Sequence, residues 1–354
     1  MAHAYLFADG TTVPDDPAIT RLAEALAAAP QASYVAGLSA TTAGAPLIAR
    51  GPGERGWTFG RFAGALTLDG GSFAIVPRMG WDALGDWVAA ATGLHVPTAA
   101  NGDGAGQIGA LASMLWVRAV DGASRHGPPA FRRDVGYVGG NVRGHLDVRQ
   151  TVRLRAKGET SAASVYRARE LDNPVTRIIV AADRVLMRHV GHGRWRTDRV
   201  AAVVAQLQSA VGRRTPPPGD GELHRMRYTP ITRPFKWAAE LSARIVRQDP
   251  VATTALPGRV QGLVLDLEGI YGEAMLNWAR DGRPDLRAES IDSGQVVLRD
   301  RDYIRAALEL LPATAGNGTP VLSLSRFGAP PRRLELAHDA AQAARTVRRA
   351  LGEI

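Results

Sequence analysis

A chain of 354 residues has room for two or three domains, each with a core of its own. Nearly half of the residues are apolar, yet no stretch reaches the roughly 18 consecutive apolar residues of a membrane span, so a globular protein without a membrane partner is expected. The net charge of +9 favours nucleic acid or an acidic protein surface as partner, and the absence of cysteine excludes disulfides and thiolate zinc sites.

The first residues, MAHAYLFADGTTVPDD, lack a basic segment followed by an apolar run, so no secretory signal is expected and the location is read as cytoplasmic. A helix is predicted over 17–28, with Ile19, Leu22 and Leu26 on one face, and alternating strands over 57–76. Residues 96–106 read as a linker and 108–120 as an apolar helix. Gly104 to Gly109 matches G-x-G-x-x-G, but no convincing strand precedes it, so a linker outranks dinucleotide binding. Residues 131–156 are strand-like and basic, and strand alternation would put Arg149, Arg153 and Arg155 on one face, either solvated or a contact surface. Leu171-Asp172-Asn173-Pro174 opens a helix at about Val175. His189 and His192, separated by Val190 and Gly191, read as a turn and not as a metal pair. Residues 198–211 form a helix stopped by Gly212, and 213–222 a proline-rich connector. Helices are predicted over 235–247, 263–280 and 337–351, the last packing through Ala341, Ala344, Val347 and Leu351, and strands over 295–299 and 320–325. Lys157 and Lys236 follow Ala156 and Phe235, so neither completes a phosphate-binding P-loop and the chain is no Walker-type NTPase.

Two separated motifs carry a family likeness. Arg143-Gly144-His145-Leu146-Asp147, followed by Thr151 and Arg153, fits RGxLDxxxTxR, and residues 171–179 fit LDNPxxRII. In this order they resemble the McrC family, the non-NTPase subunit of modification-dependent restriction systems. Residues 64–79 are similar to the hairpin before them, with Arg78 where the family has lysine, and 82–94 to its short helix. Residues 262–273 are similar to the opening helix of the family's nuclease domain, although Gly272 stands at its glutamate and Glu273 is displaced by one position. The likeness spans roughly 55–330. It implies a multidomain α+β fold: an N-terminal α+β, β-rich docking domain (1–95), a central basic β-hairpin and helical region for partner docking (96–222), and a C-terminal PD-(D/E)xK nuclease-like domain (223–354).

Such a nuclease holds Mg²⁺ with carboxylates from neighbouring strands and needs a lysine beside them. Asp285 supplies the letters of the motif but lies in a turn close behind the opening helix, and Asp302 fits the family spacing better, as catalytic residue and metal ligand. The following strand, 321–327, has no carboxylate and carries Arg326 at the lysine position. The motif therefore reads as degenerate, with Asp302 and Arg326 expected on adjacent strands as an ion pair, and no cofactor is expected; Mg²⁺ enters only if the nuclease is active.

The resemblance implies an McrC-like subunit that docks on and stimulates a hexameric McrB-like AAA+ GTPase or ATPase through Asn141, Arg143 and Arg78, and contacts DNA through Arg301, Arg332 and Arg333. Two alternatives stay open. One is an active, divergent Mg²⁺ endonuclease subunit using Asp285 or Asp302 with Glu289 or Glu309. The other is a stand-alone basic DNA-binding protein.

Overall fold

The computed structural model describes residues 3–13, 15–29, 34–38, 46–51, 56–68, 71–94, 104–190, 195–212, 215–247, 260–292, 294–311 and 320–353. Their fold is mixed α+β. The first strands and helix are β1 (His3–Ala8), β2 (Thr12–Val13), α1 (Pro17–Ala28), β3 (Val35–Ala36), β4 (Ile48–Arg50), β5 (Trp57–Phe59), β6 (Phe62–Leu68) and β7 (Gly71–Val76). Helix α1 starts at Pro17, whose fixed φ suits the first helical position, and the Asp16 carboxylate accepts hydrogen bonds from the Ala18 and Ile19 amides.

Next come α2 (Trp81–Thr92), α3 (Gly104–Ala123), β8 (Phe131–Gly139), β9 (His145–Leu146), α4 (Val148–Ala156), β10 (Ala162–Glu170), α5 (Pro174–Val190), α6 (Asp198–Val211), α7 (Asp220–His224) and α8 (Pro234–Arg247). Helix α5 packs against α3, α6 and α8. The Trp116 indole of α3 donates to the Ser242 hydroxyl of α8 inside that bundle. The last third holds β11 (Gln261–Asp266), α9 (Leu267–Gly282), an antiparallel meander of β12 (Arg287–Asp292), β13 (Gln295–Asp300), β14 (Tyr303–Leu310), β15 (Val321–Arg326) and β16 (Ala329–Glu335), and α10 (Ala340–Gly352).

Strand β11 ties the ends of the chain together. It lies between β6 and β3 in the sheet β1-β7-β6-β11-β3, antiparallel to β6 and parallel to β3. Both of its faces are buried: Val264 joins the N-terminal core with Phe59, Leu66 and Phe73, and Leu265 joins the core of the helices. That second core is continuous through Trp87, Trp116 and Leu298, so the intervals 1–95, 96–222 and 223–354 share one apolar interior. A strand and helices borrowed across those boundaries bury more surface than three separate small cores could.

Several sequence expectations are corrected. Residues 148–156 are helix α4 and not strand; Asp147 caps it, its carboxylate accepting from the Gln150 amide at 2.9 Å. Arg149 and Arg153 therefore stand one helical turn apart. Residues 263–266 belong to β11, and the helix begins only at Leu267, after Asp266 as cap. On α10, Ala340 and Ala343 are buried where Ala341 was expected; the Asp339 cap sets that rotation. Residues 96–103 of the linker and 191–192 of the histidine pair lie outside the described residues, and Gly104 to Gly109 form the first turns of α3, with no described strand immediately before them.

Gly64 and Gly262 set how closely β6 and β11 meet. Both have positive φ, +150° and +114°, and a Cβ on either would run into backbone of the other strand, at the Leu263 and Ala65 carbonyls. Gly64→Ala or Gly262→Ala should destabilise the protein by about 2–4 kcal/mol in chemical denaturation, whereas Gly140→Ala, with open space around it, should stay within about 0.5 kcal/mol.

Candidate functional site

Residues 131–170 form an arm whose strands pair in the order β8-β10-β9, with α4 on β10. The two sequence motifs brace it at its root and near its tip. At the root, Asn173 is buried; its side-chain amide donates to the Pro129, Glu170 and Leu171 carbonyls at 2.7, 3.2 and 3.0 Å, while its Oδ1 accepts from the Thr176 amide and starts α5. Asp172 pairs with Arg177 at 2.7 Å, and that hydrogen bond holds the Asp172 carboxyl below its ordinary pKa. Phe131 packs edge-on against Tyr228, with ring centroids 5.7 Å apart.

Near the tip, Gly144 has φ +76° and meets the backbone of Val165 and Tyr166 so closely that a Cβ would clash. The Thr151 hydroxyl donates to the Ala163 carbonyl at 3.2 Å and accepts from the Ala163 amide at 2.9 Å, latching α4 to β10. The Arg143 amide donates to the Ser164 hydroxyl at 3.0 Å, and the Arg143 guanidinium lies 4.4 Å from the centre of the Tyr137 ring. Asn141 sits exposed in the same loop. The arm thus offers a cation whose backbone and side chain are both held.

The rest of the arm surface is apolar and basic. Helix α4 buries none of its side chains; Val148 and Val152, one turn apart, are 63% and 60% exposed, and Val138, Val142 and Leu146 of the arm are exposed as well. Sequence reading missed this stripe because valines between arginines imitate strand alternation. The Asp147 cap with Gln150 three residues on was the signal that would have found the helix.

Arg78 lies elsewhere, at the end of β7. Its amide and Nε donate to Asp9, to the side chain at 2.5 Å and to the carbonyl at 2.6 Å, and Nη2 donates to the Thr11 hydroxyl at 3.3 Å. Buried Arg61 and Tyr271 surround the same corner, and burial raises the Asp9 and Tyr271 pKa values and lowers that of Arg61. Glu273 of α9 is ion-paired to Arg118 of α3.

The nuclease candidates do not fit a Mg²⁺ site. Asp285, in the turn before β12, is held by Arg283 through 2.9 and 2.7 Å bonds that lower its pKa. Asp302 is in the β13–β14 turn and not on a strand. Arg326 does not pair with Asp302; it donates to the Ala350 and Glu353 carbonyls at 2.8 and 3.0 Å, and so closes the C-terminus of α10. Glu289 pairs with Arg287 and Arg299, and Glu309 stands opposite Ser323. Among the described residues, no group of three or more His, Asp or Glu could hold a metal ion, and no helix is long and apolar enough to cross a membrane. Of the DNA candidates, Arg332 pairs with Glu353 at 2.6 Å, while Arg301 and Arg333 make no ion pair among the described residues.

No family model and no curated protein matches the chain. Among solved structures it is similar to a chain of the Thermococcus gammatolerans McrBC complex, at 12% identity and a TM-score of 0.40, over 79% of this chain and 88% of that one. It is similar also to a chain of the half-complex from the tetradecameric assembly of McrB AAA+ hexamers with bound McrC from the same organism, at 13% identity and a TM-score of 0.40, over 85% and 78%.

Asp266, capping α9, is 2% exposed and its Oδ2 has no hydrogen-bond partner, so burial raises its pKa from 3.8 to about 7. The folded chain then keeps a proton that the unfolded chain releases. Stability on this account is undiminished below about pH 4, falls as pH rises from there, and is lost in full above about pH 7. Asp266→Asn, which preserves the cap acceptor, should remove that fall, its gain over wild type in denaturation curves rising from about 1.5 kcal/mol at pH 5 to about 4 kcal/mol at pH 7 and above. Equal pH slopes would mean that Asp266 is ionised in the fold.

Proposed function

We propose that this chain is an McrC-like, non-NTPase subunit of a restriction or anti-phage complex, which docks on a hexameric McrB-like AAA+ GTPase or ATPase, stimulates it and contacts DNA without nuclease activity of its own. The observation that carries this reading is the arm. The family-like motifs are spent on fixing its root through Asn173 and its tip through Gly144 and Thr151, which leaves Arg143 stacked on Tyr137 in an exposed loop. An arginine set in this way is suited to stabilise charge in a partner's hydrolytic site or to order its water. The Val148–Val152 stripe supplies apolar contact area, and the flanking arginines complement an acidic rim. The surplus of arginine over the whole chain supports sequence-independent DNA contact.

Purified alone, the chain should hydrolyse neither GTP nor ATP, and added to its AAA+ partner it should raise the turnover rate. Arg143→Ala should cut that stimulation on the order of tenfold or more while the complex still co-purifies; undiminished stimulation would remove Arg143 from the mechanism. Val148→Asp with Val152→Asp should instead weaken co-purification itself.

Plasmid DNA incubated with the complex and Mg²⁺ should stay intact. Cleavage that Asp302→Ala or Asp285→Ala abolishes would establish an active nuclease in its place.

A further inference from the structure

One end of the β12–β16 sheet carries aromatic rings that nothing in the fold uses. The β13–β14 turn ends in Tyr303, 74% exposed, followed by exposed Ile304, and the β15–β16 turn carries Phe327, 93% exposed. The Phe327 amide donates to the Arg305 carbonyl at 3.4 Å, so the two turns sit side by side on neighbouring strands. Single exposed apolar side chains are ordinary, but three gathered on two adjacent turn tips are not.

Arg301 adds a second observation. At φ +56° it is the one residue other than glycine with positive φ among those described, in a hairpin turn where glycine would be the unstrained choice. Backbone strain kept at an exposed, unpaired arginine fits a side chain retained for contact. Residues 299–305 and 326–333 together hold six arginines and two aspartates; Arg299, Arg305, Arg326 and Arg332 are ion-paired, to Glu289, Asp300 and Glu353, which leaves Arg301 and Arg333 as the cations open to a ligand among the described residues. Arg301 in the turn and Arg333 further along β16 make no ion pair among the described residues.

We propose that this sheet end binds single-stranded nucleic acid, with Phe327 and Tyr303 stacking on unpaired bases and Arg301 and Arg333 meeting the phosphates. Every base has a flat face, so such a platform is indifferent to sequence, and rings on turn tips reach bases that are free of a duplex stack. This rests on the reading that the chain contacts DNA and names the form of DNA that it holds.

Fluorescence anisotropy of the full chain with labelled oligothymidine of about 20 nucleotides, against a duplex of equal length, tests it. The single strand should bind more tightly. Phe327→Ala and Tyr303→Ala should each weaken that binding on the order of tenfold without changing its salt dependence, since the rings carry no charge. Phe327→Trp should restore it. Arg301→Gly should lower the slope of log affinity against log salt by about 0.7 and raise the thermal midpoint by relieving the turn. Ring variants that bind the single strand as wild type does would overturn the platform and leave the DNA reading standing. Ring variants that lose the AAA+ partner in place of the single strand would mark the surface as a protein contact and overturn it equally. No binding to either DNA, alone or in the complex, would sink the DNA reading and the platform with it.

Discussion

The close pairing of β11 with β6 is the constraint on which the rest of the architecture hangs. It unites segments far apart in the chain, and it works only because Gly64 and Gly262 let the two backbones approach. Once β11 is seated, Asp266 stands at its end as the cap of α9, and α9 is aimed across α2 and α10 and onto the β12–β14 edge of the last sheet. Trp87 meets Tyr271 and Trp278 of α9 edge-on at 4.9 and 4.8 Å, which fixes the rotation of that helix. Arg61 completes the joint from the other side, its carbonyl accepting from the Leu267 amide at 2.9 Å while its guanidinium donates to the Leu311 carbonyl. A contact made across so much sequence must offset the entropy of closing that loop.

The arm follows a different logic. Its strands and helix bury little, and their geometry is set by directional contacts: a latch at Thr151, a steric fit at Gly144 and a buried amide at Asn173. Hydrogen bonds specify orientation better than apolar burial does, because their geometry is narrow. Asn173 binds the segment that leads into β8, the end of β10 and the first turn of α5, so one side chain joins the three pieces of chain at the root of the arm.

Much of the helical framework was legible in the sequence. Helices α1 and α6 carry clear periodicity and clear stops, and α6 ends at Gly212 as read. Strands β12, β14 and β16 were not legible: β12 is six residues of mostly polar side chains, β14 exposes its first three residues before Ala306, Leu308 and Leu310 alternate inward, and β16 carries Pro330 and Pro331 and buries only Leu334. Strand β11 was taken for helix since a strand buried on both faces shows no alternation at all. Asn141 and Arg143 could be named as an exposed glycine-hinged loop, but that Tyr137 supports the arginine depends on strand pairing that the sequence does not reveal. The assignment of Asp302 to a strand failed for a local reason: Asp300 and Tyr303 already pair, leaving only Arg301 and Asp302 to make the turn.

The thinness of the arm separates two kinds of information in the chain. The side chains that hold its shape are few, and others on its surface, such as Val148, Val152 and Arg153, are exposed. Substitutions there meet little resistance from stability, so the outer surface is free to drift with whatever it touches while Asn173, Gly144 and Thr151 stay put. Divergence among chains built on this plan would then concentrate on the face of the arm and spare its braces.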